Sequence, residues 1–302
     1  MGLIAIFSDR VIRYVLVIAN ALGLSEMAAG FVLLSVVTSL PELSVSALST
    51  LSGEGGLTVG NVLGSNVANL TIIIGLAVLF TKKSVSLKGE SQKELVQFLF
   101  ISSIIPLFIV QRGTLGPVLG LVLLIMFGYF GLIISRKTGK IEPIEKTKKS
   151  DFALSLIKFL VSVILIILLS KLTVDNAIVI ADSFGLSPSI IGATIIGLGT
   201  SLPELATTIQ ALKKRLFSMA LGNLFGSCIT NVTLILGASS LISLSEVSVI
   251  AVENIMFYVL LSSLTMWYFV SVKEEINQRS AILLCVIYAL FVLQQIGVHF
   301  IF

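Results

Sequence analysis

The chain has 302 residues, 56% of them hydrophobic and only 12% charged, with a mean hydropathy of +1.08. Soluble domains are about 45 to 50% apolar and about 25% charged, so this composition excludes a soluble enzyme or binding module and indicates an integral membrane protein. The net charge of +4 comes from lysines and arginines scattered over polar joints, which argues against a nucleic-acid partner.

Ten apolar stretches follow one another, near residues 2 to 22, 26 to 50, 57 to 80, 94 to 111, 115 to 135, 152 to 180, 188 to 212, 217 to 243, 247 to 270 and 280 to 301. Most are long enough to cross roughly 30 Å of hydrocarbon as helices rising about 1.5 Å per residue. An all-α membrane protein of ten transmembrane helices is therefore expected, rather than a barrel. The basic residues, among them Lys82, Lys88, Lys93, Arg136, Lys149, Lys213, Lys214, Arg215, Lys273 and Arg279, fall beside joints 3/4, 5/6, 7/8 and 9/10, which share one side. The positive-inside rule places that side in the cytoplasm and both termini outside the cell membrane. Cys228 and Cys285 lie within spans and read as small packing residues. "ANA" at 19 to 21 resembles a signal-peptide cleavage site, a reading that the repeat described next opposes.

The second span contains "VVTSLPELSV" at 36 to 45 and the seventh contains "GLGTSLPELA" at 197 to 206. Aligning the shared hexapeptide gives an offset of 162, which also brings "GNVLGSNVANLTIIIG" at 60 to 75 onto "GNLFGSCITNVTLILG" at 222 to 237. Residues 1–135 thus form one five-helix repeat and 151–302 another, with 136–150 a cytoplasmic linker. An odd number of spans per repeat makes the second enter the membrane from the opposite side. Inverted repeats mark secondary transporters, whose ion sites lie near the midplane on broken helices. The offset also runs off the start of the chain at the sixth span, so the first helix is expected to be about a dozen residues shorter than the sixth, whether truncated or naturally short.

Proline inside a helix removes one amide donor and displaces the carbonyl four residues back, so Pro41 and Pro203 should free carbonyls around Val37 and Gly199. Thr38, Ser39, Thr200 and Ser201 add hydroxyls there, and Glu42 and Glu204 add carboxylates. A kink satisfied by hydroxyls would account for the threonines and serines alone, but two symmetry-related carboxylates inside a membrane mark function. An all-oxygen set with two charges suits calcium, with sodium competing for the same oxygens, and is a poor set for zinc or copper. A hydrolase using Ser39 or Ser201 would need a base, and no His or Lys stands beside either motif. A channel is the third alternative.

At these residues the chain resembles the cation/calcium antiporter superfamily, and within it the sodium/calcium exchanger branch of prokaryotic type. Its two repeats each carry a Gly-Thr-Ser-Leu-Pro-Glu and a Gly-Asn-x-x-Gly-Ser segment, here "VTSLPEL" with "GNVLGSN" and "GTSLPEL" with "GNLFGSC". The resemblance implies ion ligands at Thr38, Ser39, Glu42, Ser65 and Asn69 and at Thr200, Ser201, Glu204, Ser227 and Asn231, with backbone oxygens near Ser35 and Gly197. It further implies alternating access with the first and sixth helices as the gate. Calcium and sodium would be the transported ions, the lipid bilayer the surroundings, and no cofactor is expected; a monomer is expected. Val37 replaces the usual glycine, and Asn231 stands where exchangers often carry aspartate. That leaves calcium/proton or potassium-assisted calcium exchange as the alternative, although Gly64 and Gly226 stand where proton exchangers typically place a glutamate.

Overall fold

The computed structural model describes residues 2–53, 55–82, 84–107, 114–136, 149–183, 197–242, 245–246 and 249–295. Residues 137–148 of the expected linker 136–150 and residues 188–196 of the seventh stretch lie outside them, while Arg136 and Lys149–Ser150 at the linker's ends are helical. In chain order the helices are α1 (Gly2–Leu22), α2 (Glu26–Thr38), α3 (Leu40–Leu51), α4 (Gly55–Thr81), α5 (Glu90–Ile104), α6 (Pro117–Arg136), α7 (Lys149–Ser183), α8 (Gly197–Thr200), α9 (Leu202–Lys213), α10 (Phe217–Ile242), α11 (Val249–Tyr268) and α12 (Gln278–Gln295). Six helical segments among the described residues are long and apolar enough to cross a membrane. The pair α2 and α3, bent by 45°, makes a seventh. Among the described residues α1 has 21 residues and α7 has 35, the inequality that the repeat predicts.

Burial separates the helices into a centre and a rim. In the most apolar windows of α4 and α10, 83% and 78% of residues are buried, against 22% for α6. Apart from Arg136 in its last turn, the exposed side chains of α6, including Leu121, Val122, Ile125 and Leu132, are mostly apolar, as a face turned to lipid requires. At the centre α2 crosses α10 backbone to backbone. A Cβ on Gly222 would lie 2.5 Å from the Met27 carbonyl, and one on Gly30 would meet the Met219 carbonyl. Small residues permit this approach, which hydrocarbon alone would not drive.

Two two-stranded ribbons tie the halves together. The strand β1 (Val85–Ser86) pairs antiparallel with β4 (Glu275–Ile276), and β2 (Thr114–Leu115) pairs with β3 (Ser245–Glu246). Moving β1 by 160 residues gives β3 and moving β2 by 161 gives β4, so the ribbons exchange under the repeat. The helices do likewise: α12 packs on α4 at Gly75, and α6 packs on α10 at Gly120. Ser103 and Ser263, 160 positions apart, bond to each other at 2.7 Å where α5 meets α11.

Asp9 of α1 bonds Arg13 on its own helix at 2.8 Å and Lys214, past the end of α9, also at 2.8 Å. Asp9 and Arg13 lie in the middle of α1, and these charges pair with one another, as expected for ionisable groups in spans.

Candidate ion site between the broken helices

The centre of the molecule is built around two interruptions. Ser39 separates α2 from α3 with φ −83° and ψ 8°, and Ser201 separates α8 from α9 with φ −88° and ψ 9°. Each proline falls in the first turn of the new helix, where a missing amide costs nothing because first-turn amides have no partner in the helix. The break therefore precedes Pro41 and Pro203, at the serines. The carbonyls predicted to face an ion are engaged locally: Ser35 O accepts the Ser39 amide at 3.0 Å, and Gly197 O accepts the Thr200 hydroxyl at 3.2 Å, with the Ser201 Oγ, whose single proton it shares with Glu42, at 3.3 Å.

Both glutamates sit in the first turn after their break and are fully buried, as are Ser39, Ser65, Asn69, Ser201, Ser227 and Asn231, with Thr38 and Thr200 nearly so. The two halves bond across to each other. Ser201 Oγ donates to Glu42 Oε1 at 3.1 Å, and Ser39 Oγ donates to Glu204 Oε1 at 3.4 Å. Ser227 adds a second donor to Glu204 Oε1 at 3.2 Å, while Ser65 lies 3.5 Å from the Thr200 hydroxyl. Thr38 donates to Asn223 Oδ1 at 3.3 Å and lies beside Glu204, as Thr200 lies beside Glu42.

Among the described residues, four buried side-chain oxygens of this cluster have no hydrogen-bond partner: Glu42 Oε2, Glu204 Oε2, Asn69 Oδ1 and Asn231 Oδ1. Neither carboxylate forms an ion pair with a Lys or Arg there. Buried unpaired charge is expensive, on the order of several kcal/mol per ion even after relaxation, a cost that a bound cation or a proton relieves. Two carboxylates and a surround of hydroxyl and amide oxygens suit a hard cation.

Asn69 and Asn231 each open a π-helical turn, Asn69–Ile73 and Asn231–Ile235, inside α4 and α10. Such turns release a carbonyl from the regular ladder and are frequent at functional sites. Thr71 caps the released register by donating to the Val67 carbonyl, and Thr233 does the same to Ile229 at 2.6 Å.

Three further residues were not singled out as ligands by the sequence. Asn61 donates to Ser46 Oγ at 3.1 Å and the Glu42 carbonyl at 3.2 Å, fastening α3 to α4. Asn223 does the same for α9 and α10 through Thr207 and Thr208 at 3.1 and 3.3 Å. Both stand in the matched Gly-Asn segments, so the repeat carried a signal for them. Asn66 gave none, because its counterpart is Cys228.

A family model described as sodium/calcium exchanger protein matches residues 1–136 and 154–297. The sodium/calcium exchanger MaX1 of Methanosarcina acetivorans is 28% identical over 328 residues, covering 94% of this chain and 93% of the relative. The inner membrane protein YrbG of Escherichia coli is 29% identical over 263 residues, covering 82% and 79%. Among solved structures, the sodium-calcium exchanger NCX_Mj in a strontium soak superposes with a TM-score of 0.79 at 26% identity, covering 95% of this chain and 93% of that one. With the family model spanning both halves, the chain belongs to the sodium/calcium exchanger protein family.

Proposed function

We propose that this chain is an antiporter that moves calcium against sodium across the cell membrane, using the buried cluster around Glu42 and Glu204 as one shared site. The observation that carries the reading is the pair of buried carboxylates without basic partners, each bonded to the serine of the other half and each keeping one oxygen free of hydrogen bonds among the described residues. A calcium ion there balances both charges, and sodium ions compete for the same oxygens. The names of MaX1 and NCX_Mj are in keeping with this assignment.

The ion ligands are Thr38, Ser39, Glu42, Ser65, Asn69, Thr200, Ser201, Glu204, Ser227 and Asn231, with Thr38 contributing after release from Asn223. The chain spans the membrane ten times as two inverted repeats, residues 1–135 and 151–302 joined by 136–150, and both termini face outward. Support comes from the reciprocal ribbons and the offset contacts between halves. Each repeat offers the same half-site to opposite sides, so alternating access follows from exchanging the two conformations, with α1 and α7 as the moving gate. The protein acts as a monomer.

Calcium uptake into proteoliposomes under sodium, potassium and proton gradients in turn tests the assignment. Sodium should drive uptake alone. Uptake that needs potassium, or that a proton gradient drives by itself, would establish the potassium-assisted or calcium/proton alternative.

A further inference from the structure

We infer that Asn66 is a positioning residue that fixes the Asn231 amide with its oxygen turned to the ion site, while Asn69 in the other half has no such anchor. The inference rests on the exchange reading above and concerns how one of its ligands is oriented.

An amide side chain presents either an acceptor or two donors, and only its neighbours decide which end faces a cation. Asn66 Nδ2 donates to the Cys228 carbonyl at 3.1 Å. A carbonyl oxygen cannot donate, so this bond sets the orientation of Asn66 and leaves its Oδ1 on the other arm. That oxygen receives Asn231 Nδ2 at 3.0 Å. Orientation is passed along: a backbone carbonyl fixes Asn66, and Asn66 fixes Asn231. With its nitrogen taken, Asn231 has Oδ1 as its remaining polar atom, fully buried and without a partner among the described residues. The π-helical turn that Asn231 opens packs against α3, the helix bearing Glu42. Ser227, four residues earlier on α10, bonds Glu204.

The other half lacks this chain of bonds. The repeat puts Cys228 in the place of Asn66, and the Asn69 amide has only the Cys228 thiol beside it, with neither of its polar atoms in a well-formed hydrogen bond among the described residues. A thiol cannot hold a neighbouring amide as a primary amide does, since it is a weak donor and a weak acceptor. The site therefore combines one preset amide ligand, Asn231, with one that selects its orientation when an ion arrives, Asn69. In a low-dielectric interior a donor N–H aimed at a cation would repel it, so presetting the oxygen favours binding.

The test uses the full chain in proteoliposomes, with apparent affinities for sodium and calcium read from initial exchange rates, and thermal unfolding without calcium as a check on folding. Asn66→Leu should weaken both affinities about tenfold, the effect of losing one oriented oxygen ligand. In the Asn231→Asp background both ends of residue 231 are oxygens, so orientation no longer matters and Asn66→Leu should cost no more than about twofold there. Equal losses in both backgrounds would mean that Asn66 only packs, and unchanged affinity in the parental background would overturn the inference as well. Asn66→Ala provides the same comparison where the leucine variant fails to fold. A parent that shows no exchange would remove the reading of the site itself, whereas a parent that exchanges with equal losses removes only the role of Asn66.

Discussion

Ser201 Oγ donates to Glu42 Oε1 at 3.1 Å, from the break in one half to the carboxylate of the other. The reciprocal carboxylate oxygen, Glu204 Oε1, receives two hydroxyls, from Ser39 at 3.4 Å and Ser227 at 3.2 Å. The site is thus unequal at its two carboxylates. Ser201→Ala should weaken calcium binding more than Ser39→Ala does, because Ser227 still holds Glu204 in the latter. A hydrogen bond to a charged group contributes about 1.5 to 3 kcal/mol, so the Ser201 variant should lose roughly 10- to 100-fold in apparent calcium affinity. The Ser39 variant should lose less than about tenfold. Concentration dependence of calcium uptake in vesicles distinguishes them, and a greater loss for Ser39→Ala would show that the two carboxylates do not bind as their hydrogen bonds imply.

Glu42→Gln and Glu204→Gln remove one charge each while keeping shape. With no Lys or Arg beside them among the described residues, the charges are balanced by the bound cations or by protons. Losing one partner of a buried charge pair costs about 3 to 5 kcal/mol. Calcium exchange should therefore fall more than about 100-fold in either variant, with the purified protein still folded by thermal unfolding. Parental exchange rates in either one would rule out a single shared site.

Much of this architecture was legible from two short motifs, and the limits of that reading have physical causes. The offset of 162 holds from residue 21 to 75, the stretch that includes the helices packed around Glu42 and Glu204, where a one-residue slip would rotate every buried polar side chain out of place. Beyond residue 82 the halves differ in joint length, and the offset becomes 160, at which Ser102 and Ser103 align with Ser262 and Ser263. The ribbons leave no trace in the sequence, because two-residue strands are too short for an alternating pattern. Proline marked the helix breaks, but the break fell at Ser39 and Ser201, since proline is at ease in a first turn. Asn66 was invisible to a search for matched pairs, its mate being a cysteine.

Backbone contact between α2 and α10 gives a stability prediction. A Cβ at Gly222 would stand 2.5 Å from the Met27 carbonyl and 3.2 Å from the Gly30 Cα, so neither helix can yield by turning a side chain. Gly222→Ala should separate the helices and destabilise the fold by about 1 to 3 kcal/mol or more, the usual range of overpacking. Gly128→Ala on α6, with nothing within 4 Å among the described residues, should unfold no earlier than the parent, since alanine favours helix over glycine by up to about 1 kcal/mol. Melting both in the same detergent decides it. Equal melting temperatures would mean that the α2 and α10 crossing is loose.

In the proposed site, the amide at Asn231 should set how much charge crosses the membrane in each cycle. Two carboxylates, Glu42 and Glu204, are the ionisable groups of the cluster, and Asn69 and Asn231 contribute oxygen without charge. One calcium neutralises the cluster, and so do two sodium ions. A low-dielectric site disfavours any loaded state with residual charge, so exchange of two sodium ions for one calcium should move no net charge. Initial rates should then be indifferent to a membrane potential imposed with potassium and an ionophore. Asn231→Asp adds a third carboxylate, for which three sodium ions are the balanced load, and calcium then leaves one negative charge uncompensated. Exchange by that variant should carry net charge. A potential of about 100 mV acting on one charge amounts to about 2.3 kcal/mol, up to roughly 50-fold in rate if the whole field falls across the slow step. Sodium-driven calcium uptake at several imposed potentials, run in parallel for the two proteins, measures this. Equal voltage sensitivity in parent and variant would place residue 231 outside the charge balance of the site.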